Sequence, residues 1–207
     1  MQCQSQSKLA LKIKDGKMDS LLTDKLSTLQ DLIDKQMQFQ KQLGNAMPDS
    51  LVSFENVRMS LEHNTYQQIE FQEFMEADNY EKKEELIDYL LFMLNKYIFL
   101  GVNVVEGSIS DALWGHEDAY SSAAASCYAS IEQFEFIKMV REHCTFKPWK
   151  AKTNENCADY AFVYESFCMA LSHFRKLARM TFDNYYDLHT CIIKKLMINI
   201  DRQNHNY

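Results

Sequence analysis

LIDYLLFMLNKYIFL, residues 86–100, decides the fold. It is apolar nearly all round. A surface helix keeps its apolar residues on one stripe, so in a soluble protein such a segment is a helix that other helices surround. No apolar run in the chain reaches the roughly 18 residues a membrane span needs. The stretch therefore predicts the central helix of a bundle, running from about Tyr80 to Leu100 and stopped by Gly101. Its polar residues then need a reason to be there. Glu85, Asp88 and Asn95 follow at spacings of three and seven, so at about 100° per residue they share one side of the helix.

The neighbouring segments supply the rest of the bundle. Apolar residues between Met18 and Leu43 (Leu21, Leu22, Leu26, Leu29, Leu32, Ile33, Met37) keep the 3.6 period, with Asp19 or Ser20 as cap and Gly44 as stop. A second helix follows Pro48 and ends near Ala77, where Asp78 and Asn79 break the pattern. So short a link to the next helix predicts antiparallel neighbours whose inner faces meet. Beyond Gly101, a Gly, Ser and Asn connection leads to Gly115, and helices are expected over about 117–143, 155–178 and 183–202. FKPWK, residues 146–150, must leave the helix because Pro148 disfavours the α region at Lys147. The expectation is an all-α bundle of about six helices in one domain, 18–207. Residues 1–17 form a flexible lead-in, and 102–180 are set apart as a subdomain that could move.

Composition agrees with this. Of 207 residues, 46% are apolar and 13% aromatic, far above what a disordered chain carries, and two prolines with five glycines are too few for the turns of an all-β sandwich. Twenty-two basic against twenty-nine acidic residues give a net charge of −7, which argues against a general nucleic-acid or membrane-surface binder. A phosphorylated ligand would need a metal bridge. The six cysteines form no CxxC pair and read as reduced core thiols, and the first residues lack a signal peptide's apolar stretch, so the cytoplasm is the expected location.

The carboxylates carry the functional signal. Acidic pairs three apart are common here, at 31/34, 70/73, 73/76, 78/81, 81/84, 85/88 and 132/135. Most are solvated helix faces. Glu70 and Glu73 (IEFQEF) differ in lying near the end of the second helix, while Glu85 and Asp88 (EELIDY) lie near the start of the third. Antiparallel packing would bring all four together, and four partly desolvated anions persist only if cations compensate them. Oxygen-only ligands suit Mg²⁺, with Mn²⁺ as a substitute. No Glu-x-x-His supports a di-iron centre, and neither paired Cys nor HExxH supports zinc. Lys195, Asn199 and Arg202 of the last helix share a face at spacings of four and three. They fit phosphate binding, and equally the basic last turn that a helix dipole favours.

These residues resemble the all-α dimeric dUTPases, and most closely their relatives, the dCTP/dUTP pyrophosphatases of tailed phages. The similarity lies in LSTLQDLID, IEFQEF, the string E-L-x-D-x-x-x-F-x-L-N-x-x-x-x-L-G-x-N from Glu85 to Asn103, and the closing N-I-x-R-Q-N-x-x-Y. The resemblance implies Mg²⁺-dependent hydrolysis of a deoxypyrimidine triphosphate to monophosphate and pyrophosphate by a homodimer, in the host cytoplasm if phage-encoded. It implies Glu70, Glu73, Glu85 and Asp88 as metal ligands and Glu73 as the group that orients or deprotonates water. Gln30 and Asp34 would meet the base, Lys195 and Arg202 the phosphates, and Asn199, Asn204 and Tyr207 would support the closing segment. Asn95 could orient the deoxyribose or be a satisfied core amide.

Three departures stand out: Leu91 replaces a histidine common in the family's central helix, Asn206 replaces a glycine, and the family's Trp/Lys segment is missing between the carboxylate pairs. FKPWK, with Trp149 and Lys150, resembles that segment moved to a later loop, where it could close over the nucleotide or plug a hydrophobic gap. The leaning is to dUTP, with dCTP as an alternative or second substrate. A broad house-cleaning nucleotide pyrophosphatase and an inactive helical interaction module are the rivals.

Overall fold

The computed structural model describes residues 26–49, 51–79, 81–103, 106–116, 118–144 and 156–204, the side chains of 203 and 204 excepted. Seven helices and no strand occur among them: α1 (Leu29–Gln42), α2 (Phe54–Glu76), α3 (Glu81–Ile98), α4 (Ile109–Leu113), α5 (Ser122–His143), α6 (Tyr160–Thr181) and α7 (Tyr185–Asn204). None of the described helices is long and apolar enough to cross a membrane.

α3 is the central helix. Eleven of its eighteen residues are buried, and α1, α2, α6 and α7 all pack on it. α2 is its most extensive partner and runs antiparallel: Ser60 donates to the carbonyl of Lys96 at 2.6 Å, while ten residues further along α2 Glu70 meets Asp88. Gly101, at φ +89°, turns the chain out of α3 where a Cβ would press against Val52 Cγ2 at 3.2 Å.

Helix starts follow side-chain caps more closely than hydrophobic period. α1 begins at Leu29, not near Met18, because Thr28 and Asp31 form a reciprocal capping box that satisfies two N–H groups at once. The expected first turns and the lead-in, residues 1–25, lie outside the described residues. At the other end Gly44 sits at φ +83°, and the N–H groups of Gly44 and Asn45 reach back to the carbonyls of Lys41 and Gln40. Ser53 and Asn56 cap α2 in the same reciprocal way. The segment expected as a plain connection contains α4, started by Ser108, whose hydroxyl accepts from the N–H of Asp111.

The described part of residues 102–180 joins the bundle through α5 on α2 and α6 on α3 and α5. At that junction Lys96 is fully buried, its Nζ donating to Glu132 Oε1 at 2.6 Å and Asn64 Oδ1 at 3.1 Å, and lying 4.2 Å from the centre of the Phe136 ring. The hydroxyl of Tyr97 donates to the carbonyl of Ser166 at 3.0 Å. Polar contacts thus tie α2, α3, α5 and α6 through an otherwise apolar core.

Candidate functional site

The antiparallel register of α2 and α3 sets Glu70 beside Glu85 and Asp88. One carboxylate oxygen from each lies within 4.8 Å of the other two. All three are partly buried. Glu73, one turn beyond Glu70, is exposed and outside this close group, yet its charge is felt by both Glu70 and Glu85.

Confinement of like charges shows in their acidities. Burial, then Asp88, Glu73 and Glu85, push Glu70 up to about 7, against a weaker pull from Lys195. Burial and the neighbouring carboxylates also raise Glu85. Asp88 is raised by burial, opposed by the Lys195 ammonium that hydrogen-bonds it and by Arg202. The oxygen-only donor set and a repulsion that Lys195 and Arg202 only partly offset fit a hard divalent cation held by Glu70, Glu85 and Asp88.

A cavity of about 540 Å³ opens next to this group. Glu70 and Asp88 form one part of its wall with Lys195, Asn199 and Arg202, all from the same side of α7. Lys195 Nζ donates to Asp88 Oδ2, and Lys194 makes a separate, exposed pair with Glu84 at 2.6 Å. Leu91 and Asn95 follow along α3 at intervals of three and four residues from Asp88, which keeps them on the cavity side. Asn95 is only 4% exposed and its Oδ1 has no partner among the described residues, although a buried amide oxygen left without a donor is costly. A ligand group or water supplies that donor most simply.

Away from the carboxylates the wall becomes aromatic and amidic. Phe39, Gln36 and Gln40 come from α1, His63 and Tyr66 from α2, and Phe92 from α3. Gln36 and Gln40 are each 2% exposed, and Gln40 Oε1 accepts from Asn45 Nδ2 at 2.7 Å. The exposed carboxylate of Glu62 also lines this part, so the cavity has a cluster of charges of both signs at one end and a wall of rings and amides with a single carboxylate at the other.

Of the residues singled out by sequence, Glu70, Glu85 and Asp88 converge, and Asn95, Lys195, Asn199 and Arg202 line one cavity with Glu70 and Asp88. Gln30 and Asp34 do not line it. They sit one to two turns earlier on α1, where Gln30 Nε2 donates to Asp34 Oδ1 at 2.7 Å. Asn204 closes α7, its side chain lying outside the described part, and Trp149, Lys150 and Tyr207 lie outside the described residues altogether.

Gln36, Gln40 and His63 are cavity residues that the sequence motifs do not flag. A signal exists for the glutamines: each lies seven residues after a fully buried apolar residue, Leu29 and Ile33, so each continues the inward stripe of α1. His63 has no such flag, because the buried side of α2 is itself largely polar, with Asn56, Ser60, Asn64 and Gln67. No protein-family model, curated protein or solved structure matches this chain.

Proposed function

We propose that the protein is a Mg²⁺-dependent pyrophosphohydrolase of deoxypyrimidine triphosphates, converting dUTP, or dCTP as a second substrate, to the monophosphate and pyrophosphate. The observation that carries this reading is the cavity's polarity. Glu70 and Asp88 from two helices, grouped with Glu85, face two cations from a third at one end, and aromatic rings with amides, together with the exposed Glu62, line the other. A triphosphate with an uncharged base has the same two-ended character.

Glu70, Glu85 and Asp88 would hold Mg²⁺, with Glu73 as a fourth ligand through movement of its exposed side chain. Bound there, the ion would offset the triphosphate's charge and lower the pKa of a water. Lys195 and Arg202 would bind phosphate oxygens and steady the negative charge that grows on them during transfer. Glu73 would orient the attacking water and accept its proton. That water adds across the bridge between the α and β phosphates, leaving one oxygen on the monophosphate as pyrophosphate departs. Asn95 would meet the deoxyribose. Gln36, in the amidic end of the cavity, replaces Gln30 and Asp34 as the base contact, since an amide can present either a donor or an acceptor to uracil or cytosine.

A homodimer is part of the proposal. Its support is the exposed apolar side of α5, where Tyr128, Ile131, Phe134 and Ile137 are each more than 40% exposed.

A panel of dUTP, dCTP, dTTP, dATP and UTP, assayed with Mg²⁺ for monophosphate and pyrophosphate, tests the function. The reading expects turnover of dUTP or dCTP well above the other three. Comparable turnover of all five would replace it with broad house-cleaning activity, and turnover of none would leave a non-catalytic module.

A further inference from the structure

His63 stands in the aromatic and amidic part of the cavity wall, next to the carboxylate of Glu62, and belongs to none of the roles above. The imidazole is 6% exposed and packed by Phe99 at 4.9 Å, Phe92 at 5.9 Å and Tyr66 at 6.1 Å between ring centres. Its Nδ1 lies 2.9 Å from the carbonyl of Met59. A carbonyl can only accept, so the proton is on Nδ1 and the neutral ring presents a bare lone pair at Nε2. Burial disfavours the charged ring and lowers its pKa, against weaker upward pulls from the Met59 carbonyl and the Glu62 carboxylate. Nε2 has no hydrogen-bond partner among the described residues, and the ring forms part of the cavity wall. With Nδ1 tied to the Met59 carbonyl and aromatic rings packed around the imidazole, Nε2 is the atom through which His63 can hydrogen-bond a ligand.

We infer that His63 is a base-binding residue: a fixed hydrogen-bond acceptor, set among aromatic rings, that takes an N–H donor from the pairing edge of the nucleobase, a donor that every unmodified base can offer. Uracil offers N3–H and cytosine its N4 amine. The rings explain why a base rather than a phosphate is the partner. Tyr66 and Phe92, 5.3 Å apart and tilted by 39°, give the subsite apolar surface for a planar group, while every cation of the cavity wall stands on α7. A buried acceptor discriminates strongly because a ligand lacking the donor leaves it unpaired. The inference rests on the nucleotide reading above and assigns the residue that would bind the base.

The test uses the full chain with Mg²⁺ and titration calorimetry. Probes are the non-hydrolysable α,β-imido forms of dUTP and dCTP, the same compounds methylated at the donor nitrogen (N3 of uracil, both N4 hydrogens of cytosine), and inorganic tripolyphosphate. Wild type should bind at least one unmethylated nucleotide about tenfold or more tighter than its methylated form. In His63→Phe, which keeps the ring volume, that preference should fall to about twofold or less with tripolyphosphate affinity unchanged. In His63→Gln, whose amide oxygen still accepts, part of the preference should return. Equal binding of methylated and unmethylated nucleotide by wild type overturns the inference, even if no variant folds. So does a His63→Phe protein that keeps the wild-type preference. Either result leaves the pyrophosphohydrolase reading standing, whereas wild type that binds tripolyphosphate but no nucleotide would end both.

Discussion

Lys195 Nζ on α7 donates to Asp88 Oδ2 on α3, so the cation that would grip a phosphate is already placed on a carboxylate that a metal would claim. Both side chains are less than one-fifth exposed. Binding of a metal and a triphosphate at this site would therefore involve an exchange of partners: Asp88 would pass from ammonium to metal as Lys195 passed from carboxylate to phosphate. Lys195→Met should tighten Mn²⁺ binding to the nucleotide-free protein, since a competing positive charge is gone, while raising KM for the triphosphate about tenfold. Calorimetry and steady-state kinetics separate the two effects. Weaker Mn²⁺ binding in the variant would contradict the exchange.

Glu70 sets a pH dependence with a definite sign. Its ordinary value is 4.5 and the fold raises it to about 7, so between those values the folded protein binds a proton that the unfolded chain releases. Stability from this group is complete below about 4.5 and is lost as pH rises through about 7. Glu70→Gln should therefore be more stable than wild type at pH 8 and differ little at pH 4.5. Added Mg²⁺ should raise the wild-type Tm more at pH 8 than at pH 5.5, because the ion competes with that proton. Thermal melts across pH read both trends, and a uniform Mg²⁺ effect would speak against metal binding here.

Glu73 is exposed and stands apart from the close carboxylate group, which suits a residue acting on water more than one holding an ion from the start. Removing a positioned general base typically costs about 10²- to 10⁴-fold in rate. Glu73→Gln should lose kcat on that scale while nucleotide still binds with affinity within a few-fold of wild type. Retained activity would move the water-activating role to another residue.

The buried Lys96–Glu132 pair should show strong coupling. Lys96→Met alone leaves the Glu132 carboxylate buried without its cation, a defect worth about 3–5 kcal/mol. Adding Glu132→Leu removes the stranded charge, and the double variant should recover most of that loss. Urea unfolding of the two singles and the double gives the coupling directly. Additive losses would mean that the pair is not a unit.

The central helix is legible in residues 86–100 because an all-round apolar segment has one place to go in a soluble bundle. The meeting of Glu70, Glu85 and Asp88, though not of Glu73, is legible because α2 and α3 are joined by a link too short for anything but antiparallel packing, and Gly44 and Gly101 mark helix ends as expected. Helix starts are less so: the hydrophobic period does not mark Leu29 as a first residue, whereas the capping box of Thr28 and Asp31 does, by satisfying two N–H groups at once.

What the sequence determined by itself was local and periodic: the helical class, the order of the helices, and which acidic residues share a face. What the tertiary structure alone decided was which faces meet. Periodicity places Gln30, Asp34, Gln36 and Gln40 on one helix, but only the packing of α1 against α3 leaves the second pair in the cavity and the first pair bonded to each other outside it. His63 and Lys96 became visible for the same reason. A polar side chain acquires its meaning from the groups that surround it once water is excluded, and those groups come from helices distant in the chain.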